Sequence, residues 1–200
     1  MSACVLALEW SSRRVSVAVR MAGGNPLERV EWMARFHAPA AMALVMQTLA
    51  DSGCGAQDVT EIRVGRGPGN FSGIRSAFAW AAGMTAPGGV DLVPISSGRA
   101  LAQRLTAEEE DRSFAVLGDA RRGFWWGGVY VSGTSEEVLW EIQPPALWMD
   151  RCQGMTVYST EAPRLKGLEG VREAWPSACD LLEWTGAVEP GAPLYFHPPV

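Results

Sequence analysis

The segment Val64-Gly65-Arg66-Gly67-Pro68-Gly69-Asn70-Phe71-Ser72-Gly73-Ile74-Arg75 constrains the fold more than any other part of the chain. It joins a short apolar strand, Glu61 to Gly65, to an apolar helix starting near Gly73. Glycine accepts positive φ and lets a backbone or a ligand come close, while Pro68 fixes its own φ. Ser72 is placed to cap the helix, and free N–H groups at a helix N-terminus attract anions. The spacing is not the Walker A pattern, because no Gly-Lys-Ser/Thr ends it. Nor is it G-x-G-x-x-G with an acidic residue further on. The chemistry of the loop alone leaves two readings open, a phosphate cradle or a tight strand-to-helix turn without a ligand.

The segments around this loop predict an α/β protein. Residues 4–8 and 15–20 read as two strands joined by a polar Ser-Ser-Arg-Arg turn, a hairpin. A third strand spans roughly Leu27 to Phe36, and a helix runs from Ala38 to Asp51 and ends at Gly53. After the glycine-rich loop and its helix to Thr85 come a strand at Asp91–Pro94 and a helix from Ser97 to about Ala107. The order βββαβαβα implies a mixed sheet flanked by helices, a ribonuclease-H-like lobe over residues 1–108. Beyond the acidic run Glu108 to Asp111 the pattern restarts with strands at Phe114–Leu117, Gly123–Val131 and Val138–Ile142. Pro144-Pro145 breaks that sheet, a short helix follows around Leu147–Cys152, then a strand at Met155–Ser159 and a helix at Ser177–Trp184. Residues 109–200 are thus expected to form a smaller, truncated second lobe.

Gly67-Pro68-Gly69-Asn70-Phe71-Ser72-Gly73-Ile74-Arg75 resembles the G-P-G-S-F-T-G-[LI]-R signature of the TsaB (YeaZ) family, partners in making threonylcarbamoyladenosine (t6A) at position 37 of tRNA. Other segments agree in order. Val5-Leu6-Ala7-Leu8-Glu9-Trp10-Ser11 sits where the family has a strand ending in Asp-Thr-Ser. Val93-Pro94-Ile95-Ser96-Ser97 with Ala100-Leu101-Ala102 resembles V-x-x-[IV]-S-S-L-x-A-L-A, Asp119-Ala120-Arg121-Arg122 resembles D-A-R-[RM], and Pro193-Leu194-Tyr195-Phe196 resembles the closing P-x-Y-L. The resemblance implies the two-lobed fold of actin, hexokinase and Hsp70 in reduced form. It also implies a non-catalytic subunit that pairs with and activates a TsaD-type catalytic paralogue and supports a TsaE-like ATPase. ATP or ADP and metal are then expected only on partner subunits or at a shared interface, and tRNA only indirectly through the complex. Rival readings are an autonomous actin-like-superfamily ATPase or small-molecule kinase, and a homodimeric binding module.

Composition narrows these choices. Net charge is −5 and the pI about 5.1, with no basic run. A protein that grips tRNA by itself needs a clustered positive face, because phosphate contacts dominate affinity. The 48% apolar content supports a real core. Cys4, Cys54, Cys152 and Cys179 form no C-x-x-C pair and are expected as reduced, mostly buried thiols. His37 and His197 cannot build an H-x-x-x-H metal site, so no metal is expected. No secretory signal or membrane-length apolar stretch is visible, and a cytoplasmic protein is predicted.

Two places invite chemistry. Complete superfamily members carry an Asp on the first hairpin that organises a metal-bound water, where this chain has Glu9 followed by Trp10. Glu moves the carboxylate outward, and a misplacement of about 1 Å can cost on the order of a hundredfold in rate. The hairpin is therefore expected to do no phosphoryl chemistry, with Glu9 bonded to turn N–H groups and the Trp10 ring lying where a phosphate contact would be. Asp119, with Arg121 and Arg122, lies at the equivalent turn of the second lobe. It joins Gly67, Gly69, Asn70, Ser72, Gly73 and Arg75 as a nucleotide-proximal or structural candidate. Ser96-Ser97 is expected to cap the following helix.

The helices over 38–50 and 74–86 are apolar nearly all round. A sheet covers one face of such a helix, and an exposed apolar face marks an interface. The expected partner surface is Ala38, Ala41, Met42, Val45, Met46 and Leu49 on the first helix. On the second it is Ile74, Ala77, Phe78 and Ala81.

Overall fold

The computed structural model describes residues 4–109, 112–131, 140–188 and 191–194. The chain divides into two compact units, Met1–Ala100 with Pro176–Leu194, and Leu101–Trp175. The division read from sequence, 1–108 and 109–200, has one joint, placed after residue 108 and not after Ala100. No local signal marks the return of 176–194 to the first unit.

In the first unit, β1 (Cys4–Glu9), β2 (Arg14–Met21) and β3 (Leu27–Trp32) form an antiparallel meander. β4 (Val59–Gly65) and β5 (Asp91–Ile95) extend it in parallel, giving the order β3-β2-β1-β4-β5. The parallel pairs are joined by helices, α1 (Ala38–Asp51) before β4 and α2 (Phe71–Thr85) before β5, as parallel crossovers require. Side chains alternate across the sheet. Leu6, Leu8, Val17, Ile62 and Val64 meet α1 and α2 on one face, while Ala7, Ala18 and Ile95 pack with α5 (Ala178–Leu182) on the other.

α5 is stitched into place by polar groups as well. Ser177 caps it in a capping box with Asp180. The Ala178 N–H donates to Ser16 Oγ at 2.8 Å and the Ser177 hydroxyl to Glu28 at 2.7 Å. At its other end Arg63 Nη1 donates to the carbonyls of Leu181 and Leu182, each at 3.0 Å.

α3 (Ser97–Glu108) leads into the second unit, where its Leu101, Ala102 and Leu105 pack with Phe114, Val116, Trp126 and Tyr158. There β6 (Phe114–Arg121), β7 (Phe124–Tyr130), β8 (Glu141–Gln143), β9 (Thr156–Ser159) and β10 (Arg172–Glu173) repeat the first topology, in the order β10-β9-β6-β7-β8. Antiparallel β6–β7 and β7–β8 pairs and parallel β6–β9 and β9–β10 pairs complete the copy. Truncation falls on the helical layer. The seven-residue α4 (Pro145–Arg151) buries Trp148, and where the first unit has the 15-residue α2 this one has a single 3₁₀ turn at Ala162–Arg164. Pro145 does more than break the sheet, because it opens α4 at a position where its missing N–H is no loss.

Three expectations change. Cys4 and Cys54 are paired as a disulfide and are not reduced thiols, because β1 and the turn after α1 bring together residues 50 apart in sequence; Cys152 and Cys179 are free. β3 ends at Trp32, short of Phe36. β10, two residues long, was not expected. The first part of the expected Val138–Ile142 strand, part of the acidic run, and Tyr195, Phe196 and His197 lie outside the described residues. Among the described residues no helix is long and apolar enough to cross a membrane, and no group of three or more His, Cys, Asp or Glu could hold a metal ion.

Candidate functional site

The glycine-rich loop lies against the first hairpin. The Asn70 N–H donates to the Ser11 carbonyl at 2.6 Å. A β-carbon on Gly69 would overlap that same carbonyl, and one on Gly73 would overlap the carbonyl of Trp10. Gly67 and Gly69 have φ of 94° and 151°, which L side chains rarely adopt. Absence of a side chain is therefore required at Gly69 and Gly73 by a neighbouring backbone, and at Gly67 by its φ and the Ile74 side chain, with no ligand needed to explain it.

Asn70, not Ser72, caps α2. Its Oδ1 accepts from the N–H groups of Ser72 at 3.1 Å and Gly73 at 3.3 Å, and its carbonyl accepts from Ile74. Asn is among the strongest caps, and Ser72, two residues on, is already inside the helix. Other loop groups are also engaged. Gly67 donates its N–H to Ser97 Oγ at 3.2 Å and accepts from the Ser97 N–H at 2.9 Å. Arg66 donates its N–H to Ile95 and accepts from Leu194, at 2.8 Å each. Ser96 caps α3 through the Arg99 N–H, whereas Ser97 braces the loop. Arg75 is exposed and lies over the Phe71 ring, 5.1 Å from its centroid. A phosphate cradle needs several converging free N–H groups. Here the Asn70 side chain occupies that place.

Glu9 is fully buried at the end of β1, and its Oε1 accepts from the Ser11 N–H at 2.8 Å, as expected of a carboxylate bonded to its own turn. Burial pushes its pKa up. The nearby Ser11 and Ser97 hydroxyls and the Ser11 N–H pull the other way, and the charge of Asp180 adds a smaller upward push. The Trp10 ring is fully buried and packs 5.6 Å from Phe36 in the core under α1 and α2. It is thus a core residue rather than an occupant of a phosphate position.

Asp119, at the topologically equivalent strand end of the second unit, accepts from the Arg121 N–H at 2.8 Å and pairs with its guanidinium at 2.9 Å. Arg164 approaches to 3.7 Å and itself pairs with Glu161 at 2.7 Å. Arg121 and Arg122 have φ of 68° and 54°, so this is a tight hairpin turn held by its own aspartate. Burial raises the pKa of Glu161 despite its two arginine neighbours.

The helix pair is sorted by burial. Ala41, Val45, Leu49, Ile74, Ala77 and Ala81 face the sheet and are buried within the chain, so they cannot form a partner surface. Met42 and Phe78 are half-buried, while Ala38 and Met46 are exposed, Met46 by 56%. The outer faces continue through Ala43 and Ala50 on α1 and Ala79 and Ala82 on α2. Between Ala38 and Ala50, and between Ser76 and Thr85, no residue is charged. Sequence reasoning missed the Ser97 brace and the Leu194 contact, which join segments far apart and leave no local pattern.

A model of the family described as TsaD: tRNA N6-adenosine threonylcarbamoyltransferase matches residues 30–137. The chain is 31% identical over 117 residues to the tRNA threonylcarbamoyladenosine biosynthesis protein TsaB of Haemophilus influenzae, covering 58% of this chain and 49% of that protein. It thus spans about half the length of that relative. It is 26% identical to TsaB of Bacillus subtilis, over 68% of this chain and 59% of that one. Among solved structures, a Pseudomonas aeruginosa protein described as similar to peptidase YEAZ superposes with a TM-score of 0.71 at 25% identity, covering 90% of this chain and 89% of the other.

Proposed function

We propose that this chain, which belongs to the TsaD (tRNA N6-adenosine threonylcarbamoyltransferase) family, serves t6A formation as a non-catalytic, TsaB-like subunit. The observation that carries this reading is the occupied start of α2. Asn70 Oδ1 accepts from two amides at the start of the helix, Ser72 and Gly73, and the carboxyl group of Glu9 is sealed from solvent. A helix start capped by its own asparagine, beside a buried acid, suits support rather than phosphoryl or acyl chemistry. ATP or ADP and metal would then reside on partner subunits or at a shared interface.

The catalytic partner in this reading is a TsaD-type paralogue, seated on the uncharged outer faces of α1 and α2 around Met46 and Ala79. A TsaE-like ATPase joins the assembly, and the free protein could use the same faces to form a homodimer. Helices presenting alanine allow close approach, and a specific interface needs about 800 Å² a side. tRNA would be met through the complex, consistent with the net charge of −5. Cytoplasmic residence fits this role.

Co-purification with a TsaD-type paralogue, together with t6A content of tRNA measured by nucleoside mass spectrometry, tests the proposal. The expected result is a complex whose t6A output depends on this chain. Turnover of Mg-ATP by the isolated protein would replace it with the autonomous ATPase reading.

A further inference from the structure

We propose that Glu9 is a proton-operated latch: as the neutral acid it seats the glycine-rich loop on the first hairpin, and its ionisation releases that loop. The inference rests on packing and holds whatever assembly the chain joins.

Glu9 is fully buried, and only one of its oxygens is engaged. Oε1 accepts from the Ser11 N–H, while Oε2 has no hydrogen-bond partner. Ser11 Oγ, which could serve it, is likewise buried and unpartnered. Gly65, the last residue before the loop, lies so close that a β-carbon there would overlap Oε2 and crowd Ser97 Oγ. Ser97 Oγ in turn accepts from the Gly67 N–H. The carboxyl group is thus wedged between the end of β1, the root of the loop and the start of α3. An unpaired carboxylate oxygen in such a place is costly, whereas a carboxylic acid needs far less solvation.

The groups that favour its charge are all neutral, the Ser11 and Ser97 hydroxyls and the Ser11 N–H. Ser16 stands opposite on β2, with its hydroxyl accepting from the Ala178 N–H. β4 and α3 turn Gly65 and Ser97 toward it, and among the described residues the ionisable group acting on it is Asp180 of α5, an acid. Burial therefore outweighs the hydroxyls and the single N–H, and the pKa rises. A group whose folded pKa exceeds its unfolded one stabilises the fold fully below the unfolded pKa, and that contribution is lost as pH rises through the folded pKa.

Glu9→Gln keeps the shape without the ionisation. Melting temperatures of wild type and Glu9→Gln across the pH range should agree at acid pH and diverge as pH rises. The wild type should fall behind by about 3 °C or more. Hydrogen exchange of residues 65–74, corrected for intrinsic pH dependence, should accelerate over the same range in wild type and not in Glu9→Gln, with α1 unchanged in both. Parallel melting profiles overturn the proposal, as does divergence without faster exchange in the loop. Should Glu9→Gln fail to fold, wild-type exchange decides: protection of residues 65–74 that is flat in pH overturns it, and a selective loss supports it.

Discussion

A β-carbon on Gly69 would overlap the carbonyl oxygen of Ser11, the acceptor of the Asn70 N–H. One oxygen thus fixes both the position of the loop and the identity of a residue in it. Gly69→Val should destabilise the protein by about 2 kcal/mol or more, since φ of 151° is strained for a β-branched residue and the obstacle is backbone that cannot rotate away. Thermal unfolding checks this; an unchanged melting temperature refutes it.

Asn70→Ala removes the cap of α2 and should cost about 1 kcal/mol, while Asn70→Ser or Asn70→Asp should recover most of it. Chemical denaturation of the three variants distinguishes a cap from a ligand-binding side chain. A cap loses stability without any nucleotide present.

The helix pair separates two classes of substitution. Met46→Glu with Ala79→Glu places charge on outer faces, and should leave circular dichroism native while abolishing assembly in gel filtration. Ala41→Glu with Ala81→Glu buries unpaired charges against the sheet, each costing several kcal/mol, and should unfold the chain. A native Met46→Glu/Ala79→Glu variant that still assembles would move the partner surface elsewhere.

A thiol reagent applied to the unreduced, denatured protein should count two free thiols, Cys152 and Cys179, and four after reduction. A count of four without reductant would restore the expectation of reduced cysteines.

Legibility in the sequence followed the range of the forces involved. Helix α1 was expected from Ala38 to Asp51, and those are its bounds, because Pro39 near its start and Gly53 beyond its end act locally. The element order of the first unit, and a mixed sheet flanked by helices, followed from the hairpin and the alternating strands and helices; the order of the strands within the sheet came from the structure. The orientation of the helices did not follow. Alanine and methionine occupy both sides of α1, so the sequence carries no phase, and only the sheet decides that Val45 turns in and Met46 out. A hydroxyl two residues late, Ser72, resembles a cap in the sequence; the extended ψ of Asn70, 108°, and the two N–H groups its side chain accepts from put the cap there. The glycines were recognisable as a loop, but their cause, the Ser11 and Trp10 carbonyls, belongs to a hairpin some 60 positions earlier. Pairing of Cys4 with Cys54 has the same long-range origin.

The attachment of α5 to the first sheet sets an order of events during synthesis. Ala7, Ala18 and Ile95 are among the earlier residues to leave the ribosome, yet the side chains that cover them, Ala178 and Leu181, leave late. Until then one face of the first sheet is uncovered, and Ser16, Glu28 and Arg63 wait for partners that have not been made. The whole of the second sheet is translated in that interval. Completion of the earlier half therefore depends on the later one, and a nascent chain halted before Pro176 carries an apolar surface that chaperones recognise.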